Sequence, residues 1–261
     1  GQGVQLPVAV AHYNNNFVGG IDYADQWWPV VLSAGALHAV GESAERLTLS
    51  VQSDLPIGAG LGGSAALAVA LVRALDETGA MAPEDIRQKA HELEKVAHGT
   101  PSGIDDAVAA YGCPVHYVRG EVPVPMTDVS PPALWIGLTA ERTSTLEAVA
   151  GVGRLAEARP EWFRERLLEV TGLVAEAEGA LREGDWLALG RAMCRNHEHL
   201  RAIEVSTPSL DRLVAAALAA GAHGAKLTGG GLGGAVIAIA PEDVDLTGAW
   251  RDVGATEVIA P

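Results

Sequence analysis

Residues 56 to 66 read Pro-Ile-Gly-Ala-Gly-Leu-Gly-Gly-Ser-Ala-Ala, a run of glycines set between a strand-like segment and the apolar residues Leu67, Val69, Ala70 and Leu71. No other stretch limits the fold as much. Glycine takes positive φ without a Cβ clash and lets the backbone come close to a ligand. The first turn of a following helix adds unpaired N–H groups and the positive end of its dipole. The segment therefore reads as an anion cradle, with Ser64 at the helix start placed for a phosphate or a Mg²⁺ ion. It is not a Walker A loop, because no Gly-Lys-Ser/Thr follows, and the spacing of Gly60, Gly62 and Gly63 is not the dinucleotide fingerprint. A tight strand-to-helix turn whose glycines serve packing is the alternative that the loop alone leaves open.

The flanking pattern is that of an α+β chain. Val4 to His12 alternates as a strand, Asn14, Asn15, Asn16 and Gly19-Gly20 mark a loop, and residues 22–40 read as a helix closed by Gly41. Leu47 to Val51 is a strand leading into the glycine loop. Pro83-Glu84-Asp85 opens a helix with an acidic first turn, and Ile86, Ala90, Leu93 and Ala97 line one face at helical spacing. Glu94 and His98 are four apart and project from one side of that helix end. Further on, Phe163, Leu167, Val170, Val174, Ala177 and Leu181 form an apolar stripe, Gly184 stops the helix, and Asp185 caps the next. Thr207-Pro208 opens another helix that Gly221 ends, and strands around Ala225–Leu227 and Val236–Ile239 flank a second glycine loop, Gly229 to Gly234. Two lobes are expected, residues 1–128 and 129–261, with the boundary in the proline-containing stretch Thr127 to Pro132.

A formal charge of −15 argues against nucleic-acid or anionic-membrane partners, which need clustered Lys and Arg. A nucleotide must then be held by local devices: helix N-termini, backbone amides, a metal ion and a few cations. The only lysines are Lys89, Lys95 and Lys226. Apolar runs such as Ala65–Val72 are shorter than the roughly 20 residues a membrane span requires. Cys113 and Cys194 are far apart with no metal-ligand spacing, so a reduced cytoplasmic setting is expected.

Residues 94 to 106, Glu-Lys-Val-Ala-His-Gly-Thr-Pro-Ser-Gly-Ile-Asp-Asp, and 226 to 235, Lys-Leu-Thr-Gly-Gly-Gly-Leu-Gly-Gly-Ala, together with the first glycine loop, resemble the GHMP kinase superfamily. The stretch His98 to Asp106 is most similar to its mevalonate kinase branch. Ser144-Thr145 opening a helix at 145–150, Asn196-His197-Glu198 and Val205-Ser206-Thr207-Pro208 resemble the archaeal and bacterial form of that branch. The resemblance spans residues 47 to 240. It implies the two-lobed GHMP kinase fold, with an N-terminal lobe like ribosomal protein S5 and a ferredoxin-like C-terminal lobe. It also implies ATP- and Mg²⁺-dependent phosphorylation of a small alcohol, foremost mevalonate at its 5-hydroxyl in isoprenoid synthesis, and a homodimer. Other acceptors (phosphomevalonate, homoserine, a sugar) or a catalytically silent metabolite-binding member are the competing readings.

Residue by residue, the resemblance implies that Gly58, Gly60, Gly62, Gly63, Ser64 and Ala65 hold the ATP phosphates, that Ser64 and Glu94 hold Mg²⁺, and that Asp105 receives the proton of the alcohol. His98, Ser102, Thr145, Thr228, Gly230 and Gly231 are implied to shape the acceptor and transferred-phosphate pocket. Simpler roles stand beside these: Asp105 as the cap of a helix at Ala107–Tyr111, Glu94 as a solvated residue paired to Lys95 or Arg87, Thr145 as a cap. Two positions depart from the family pattern, Gly63 where a serine is usual and Asp106 where Asn is usual. A second carboxylate beside Asp105 is expected to raise the pKa of one of the pair. The Pro-Gly-Lys segment and Gly-Glu-His turn that open the family have no counterpart, since no lysine precedes Lys89. The family's N-terminal region is expected to be shortened, removed or simply outside this sequence; if it is truly missing, impaired activity or an altered acceptor choice is expected, with His12, Tyr13 and Asn14 to Asn16 as polar residues able to line the pocket.

Overall fold

The computed structural model of the chain describes residues 10–14, 48–52, 59–76, 79–98, 100–141 and 145–261. They divide into two compact units: Gly1–Ile57 with Gly62–Thr127, and Gly58–Leu61 with Asp128–Pro261.

In the first unit, β1 (Val10–Asn14) pairs antiparallel with β2 (Thr48–Gln52), Ala11 opposite Val51 and Tyr13 opposite Leu49. The strand expected to end at His12 runs on through Asn14. The helix expected over 22–40 and residues Asn15 and Asn16 lie outside the described residues. Helices α1 (Gly63–Ala74), α2 (Pro83–His98) and α3 (Ile104–Tyr111) follow, then two short strands, β3 (Val115–His116) and β4 (Val124–Pro125), paired as a hairpin. Leu67, Ala68, Val69, Leu71 and Val72 of α1 pack on Ile86, Ala90 and Leu93 of α2 and Ala110 of α3. Each fully buried large aliphatic among them stabilises by about 1.5–3 kcal/mol. Polar ties fix the far end of α3: Arg73 donates to the Ala110 carbonyl at 2.9 Å. The Tyr111 hydroxyl donates to Glu84, whose carboxyl the Arg87 guanidinium holds down to about 2.

The second unit contains β5 (Trp135–Leu138), α4 (Thr145–Ala158), α5 (Pro160–Glu183), α6 (Trp186–Ala202), α7 (Pro208–Ala219), β6 (Gly224–Thr228), β7 (Ala235–Ile239), α8 (Thr247–Asp252) and β8 (Glu257–Ile259). Its strands form one antiparallel sheet in the order β6-β7-β5-β8. That is the ferredoxin-like βαββαβ pattern with four helices in the first crossover. One face of the sheet buries Trp135, Ala225, Leu227, Val236 and Ala238 against Leu210, Leu213, Leu246 and Trp250. The Trp250 indole donates to the Leu213 carbonyl at 2.8 Å, and position 137 is glycine because a Cβ there would lie 2.9 Å from the indole ring. On the other face, Ala59 and Leu61 of the 58–61 segment pack with Ile136, Leu138 and Ala235. Where α6 crosses β6, backbone meets backbone: a Cβ on Gly224 would sit 2.0 Å from the Gly190 oxygen.

Helix ends follow their sequence signals. Gly184, at φ 68, closes α5, Asp185 accepts from the Ala188 N–H to cap α6, and Thr207 caps α7 ahead of Pro208. Two expectations need correction. The helix at 145–150 continues to Ala158. In α5 the positions buried are Leu173 and Ala180, while Leu167 and Val174 of the expected stripe are exposed. A helix this rich in Ala and Leu carries more than one helical repeat, and packing selects the one facing α6. Among the described residues, no helix is long and apolar enough to cross a membrane.

Candidate active site

The first unit carries the cradle. Gly62, at φ 71, is the N-cap of α1, and no side chain caps that end. The first bond of the helix is Ala66 N–H to the Gly62 carbonyl, 3.0 Å, so the first-turn N–H groups lie outside the intrahelical ladder. A Cβ built on Gly63 meets nothing within 4 Å. Ala65 is buried in the helix, and Gly63 and Ser64 are half-buried beside it. The Ser64 hydroxyl donates to Glu94, which is buried at 7% exposure. Two residues thirty positions apart in the chain, both expected as metal ligands, therefore meet as a hard-oxygen pair. Glu94 is not the solvated residue of the simpler reading: Lys95 pairs with Glu92 and Arg87 with Glu84, each at 2.7 Å.

Asp105 stands opposite this helix start. α3 begins at Ile104 with Gly103 as N-cap at φ 87, which puts Asp105 inside the first turn and rules it out as the cap of a helix at 107. A Cβ on Gly62 would lie 3.6 Å from both Cβ and Cγ of Asp105, so the side chain rests on the N-cap of α1. Asp105 reaches solvent and has no hydrogen bond or ion pair with the described residues. The atoms crowded round its carboxyl, and secondarily the charge of Asp106, raise its pKa above the ordinary 3.8. Asp106 itself, one residue on and about 100° round the helix, is only 2% exposed and lies 2.7 Å from His91 Nδ1.

The remaining expected residues of this unit are spread around that centre. Ser102 is exposed; its hydroxyl accepts from Ile104 N–H at 3.4 Å and its carbonyl accepts from the Tyr117 hydroxyl. His98 is the last residue of α2 and Thr145 the first of α4; their side chains, and Gly58, lie outside the described residues.

In the second unit, Gly60, at φ 74, packs on Gly229, where a Cβ would meet the Gly60 oxygen at 2.9 Å. Thr228 ends β6, Gly230 is exposed, and Gly231, at φ 80, lies so close to Val205 that a Cβ would be 2.3 Å from its oxygen. The loop is pinned twice more. Leu232 N–H donates to the Val205 carbonyl at 2.7 Å, and Gly234 N–H to the Glu141 carbonyl at 3.0 Å. The Glu141 carboxylate receives the hydroxyls of Ser209 and Thr207, each at 2.7 Å, which lower its pKa. Below the loop, buried His197 accepts the Leu227 N–H on Nδ1 at 3.4 Å and turns Nε2 toward Asp211 at 3.1 Å, an acceptor that also takes the Ser206 hydroxyl at 2.6 Å. The 196–198 and 205–208 stretches thus build the support of the second glycine loop.

Sequence reasoning missed His91, Tyr117 and Glu141. His91 had a signal: it lies three residues before Glu94 on α2, on the same helical face. Tyr117 and Glu141 had none, because each reaches its partners only through the fold. No group of three or more His, Cys, Asp or Glu able to cage a metal occurs among the described residues.

Known proteins match this chain in both units. The family of GHMP kinases N-terminal domains matches residues 30–113, and that of GHMP kinases C-terminal domains matches 177–256. The mevalonate kinase of Thermococcus onnurineus is 38% identical over 219 residues, 79% of this chain and 65% of that protein. That of Pyrococcus abyssi is 37% identical over 236 residues, 86% of this chain and 70% of its own length. Among solved structures, the L. major mevalonate kinase in complex with R-mevalonate aligns with a TM-score of 0.85 at 27% identity, covering 96% of this chain and 84% of that one.

Proposed function

The chain belongs to the GHMP kinase family, and on that footing we propose that it phosphorylates a small alcohol with ATP, the acceptor being mevalonate and the product its 5-phosphate. The observation that carries this reading is the Asp105 carboxylate resting on the uncapped N-terminus of α1 at Gly62. The acceptor is taken from the relatives, which are named mevalonate kinases.

Phosphoryl transfer asks a protein mainly for alignment and for charge stabilisation at the moving group. The first-turn N–H groups of Gly63, Ser64 and Ala65, with the positive end of the α1 dipole, are assigned to the phosphates. Asp105 is assigned to the acceptor hydroxyl: its open carboxylate takes the proton as the new phosphate ester forms, and a raised pKa brings it closer to the basicity that step uses. Ser64 and Glu94 suit Mg²⁺, one hydroxyl and one carboxylate leaving the other positions to phosphate and water. When bound, the ion neutralises phosphate charge.

The test is ADP release by the full chain with ATP and mevalonate, run beside homoserine, galactose and phosphomevalonate. Turnover with mevalonate alone is expected. Turnover with a different alcohol reassigns the acceptor, and nucleotide binding by calorimetry without any turnover overturns the enzyme reading.

A further inference from the structure

We propose that His91 and Asp106 form a positioning pair that sets where Asp105 points, an inference that rests on the reading of Asp105 as the proton acceptor. The pair spans two helices of the first unit: His91 Nδ1 on α2 lies 2.7 Å from Asp106 Oδ2 on α3. Asp106 is 2% exposed, and a carboxylate that deep requires a partner. The imidazole supplies it with an N–H donor on Nδ1, the tautomer that the hydrogen bond selects.

The same ring reaches further. A Cβ on Gly103 would lie 3.5 Å from His91 Cε1 and 3.7 Å from Nδ1, so the imidazole also lies against the left-handed N-cap that starts α3. One side chain thus contacts the residue where the helix begins and the third residue within it, fixing both the start of α3 and its rotation about its axis. Asp105 lies between those two contacts in sequence and turns to Gly62. The Tyr117 hydroxyl also holds the Ser102 carbonyl just ahead of the N-cap. Arg87, one turn before His91 on α2, faces the charge of Asp106 as well. His91 lies one turn before Glu94, so a single face of α2 holds both the Ser64 partner and the device that aims Asp105.

Misplacing a reacting group by about 1 Å can cost on the order of 100-fold in rate. The experiment measures kcat, KM for both substrates, ATP affinity by calorimetry and thermal stability for His91→Leu, Asp106→Ala, their double variant, and the conservative His91→Asn and Asp106→Asn. His91→Leu and Asp106→Ala are each expected to lower kcat by roughly 10- to 100-fold with ATP affinity unchanged, and the double variant to be no worse than the poorer single. Each Asn variant retains a donor or acceptor at the shared hydrogen bond and is expected to hold kcat within about threefold of the parent. Full kcat in His91→Leu and Asp106→Ala, or losses that multiply in the double variant, overturn the pair. If those variants fail to fold, the Asn variants decide: a large kcat loss in either at unchanged thermal stability overturns it. Asp105→Asn runs alongside. Turnover retained there sinks the base reading itself, whereas turnover lost there and kept in the His91 and Asp106 variants sinks only this inference.

Discussion

Gly63 is the point at which the cradle has room to spare. A Cβ there meets nothing within 4 Å, and its φ is not in the left-handed region, so a side chain costs no strain. Gly63→Ser adds a hydroxyl donor beside the first-turn N–H groups and replaces a poor helix former with a better one. We expect the KM for ATP to fall about three- to tenfold, the net worth of one ordinary hydrogen bond, with no loss of thermal stability. Asp105 presents the opposite balance. Its folded pKa is raised, so its contribution to stability is complete below 3.8 and is lost as pH rises through the folded value. Asp105→Asn should therefore melt higher than the parent at pH 7, with the difference closing below pH 3.8, while turnover disappears. A lower melting temperature at neutral pH would show that the carboxylate supports the fold. Ser64, Glu94 and Asp105 were readable as candidates because contiguous residues carry them in a family pattern. His91 was legible only as a neighbour of Glu94 on one helical face; its partner Asp106 is fifteen residues away on another helix, and only the fold brings the two together.

The junction of α6, α7 and β6 turns on one imidazole. Burial depresses the pKa of His197, with Asp211 opposing it, and the neutral ring must keep Nδ1 free to accept the Leu227 N–H. A histidine with a lowered folded value contributes stability that is present above its ordinary 6.5 and is lost as pH falls below it. The unfolding free energy read by urea titration should drop between pH 7 and pH 5 with a slope of up to about 1.4 kcal/mol per pH unit. In His197→Gln most of that slope should vanish, and an unaltered slope would locate the titration elsewhere. Element by element, legibility tracked local chemistry. Glycine at Gly184, the Asp185 cap and Thr207-Pro208 marked their helix ends, alternating Leu47, Leu49 and Val51 marked β2, and the apolar run Val236 to Ile239 marked β7. The rotation of α5 was not legible, since Leu167, Leu173 and Val174 offer competing stripes and only contact with α6 chooses among them. Two-residue strands such as β3 and β4 are too short to show a period.

Across the whole molecule, a net charge of −15 leaves anion binding to local features, and the described cradle is made of backbone rather than of a lysine cluster. The α+β class and the run from the helix ending at Gly184 to the strand at 236–239 were readable from periodicity and end signals, whereas β5, α8 and β8 were not. The membership of residues 58–61 was not, because a four-residue stretch has no pattern of its own and Ala59 and Leu61 acquire meaning only against Ile136, Leu138 and Ala235. A fragment comprising Asp128–Pro261 would lack both side chains and should be destabilised by about 2 kcal/mol relative to one in which residues 58–61 are tethered to it, as read by chemical denaturation. Equal stability of the two fragments would show that those contacts contribute little. The chain is thus stitched: a short thread of the early sequence is sewn into the later half and then returns. No single cut can divide such a protein into its two natural pieces, and any gene dissection or circular permutation must carry that stitch with the half it fastens.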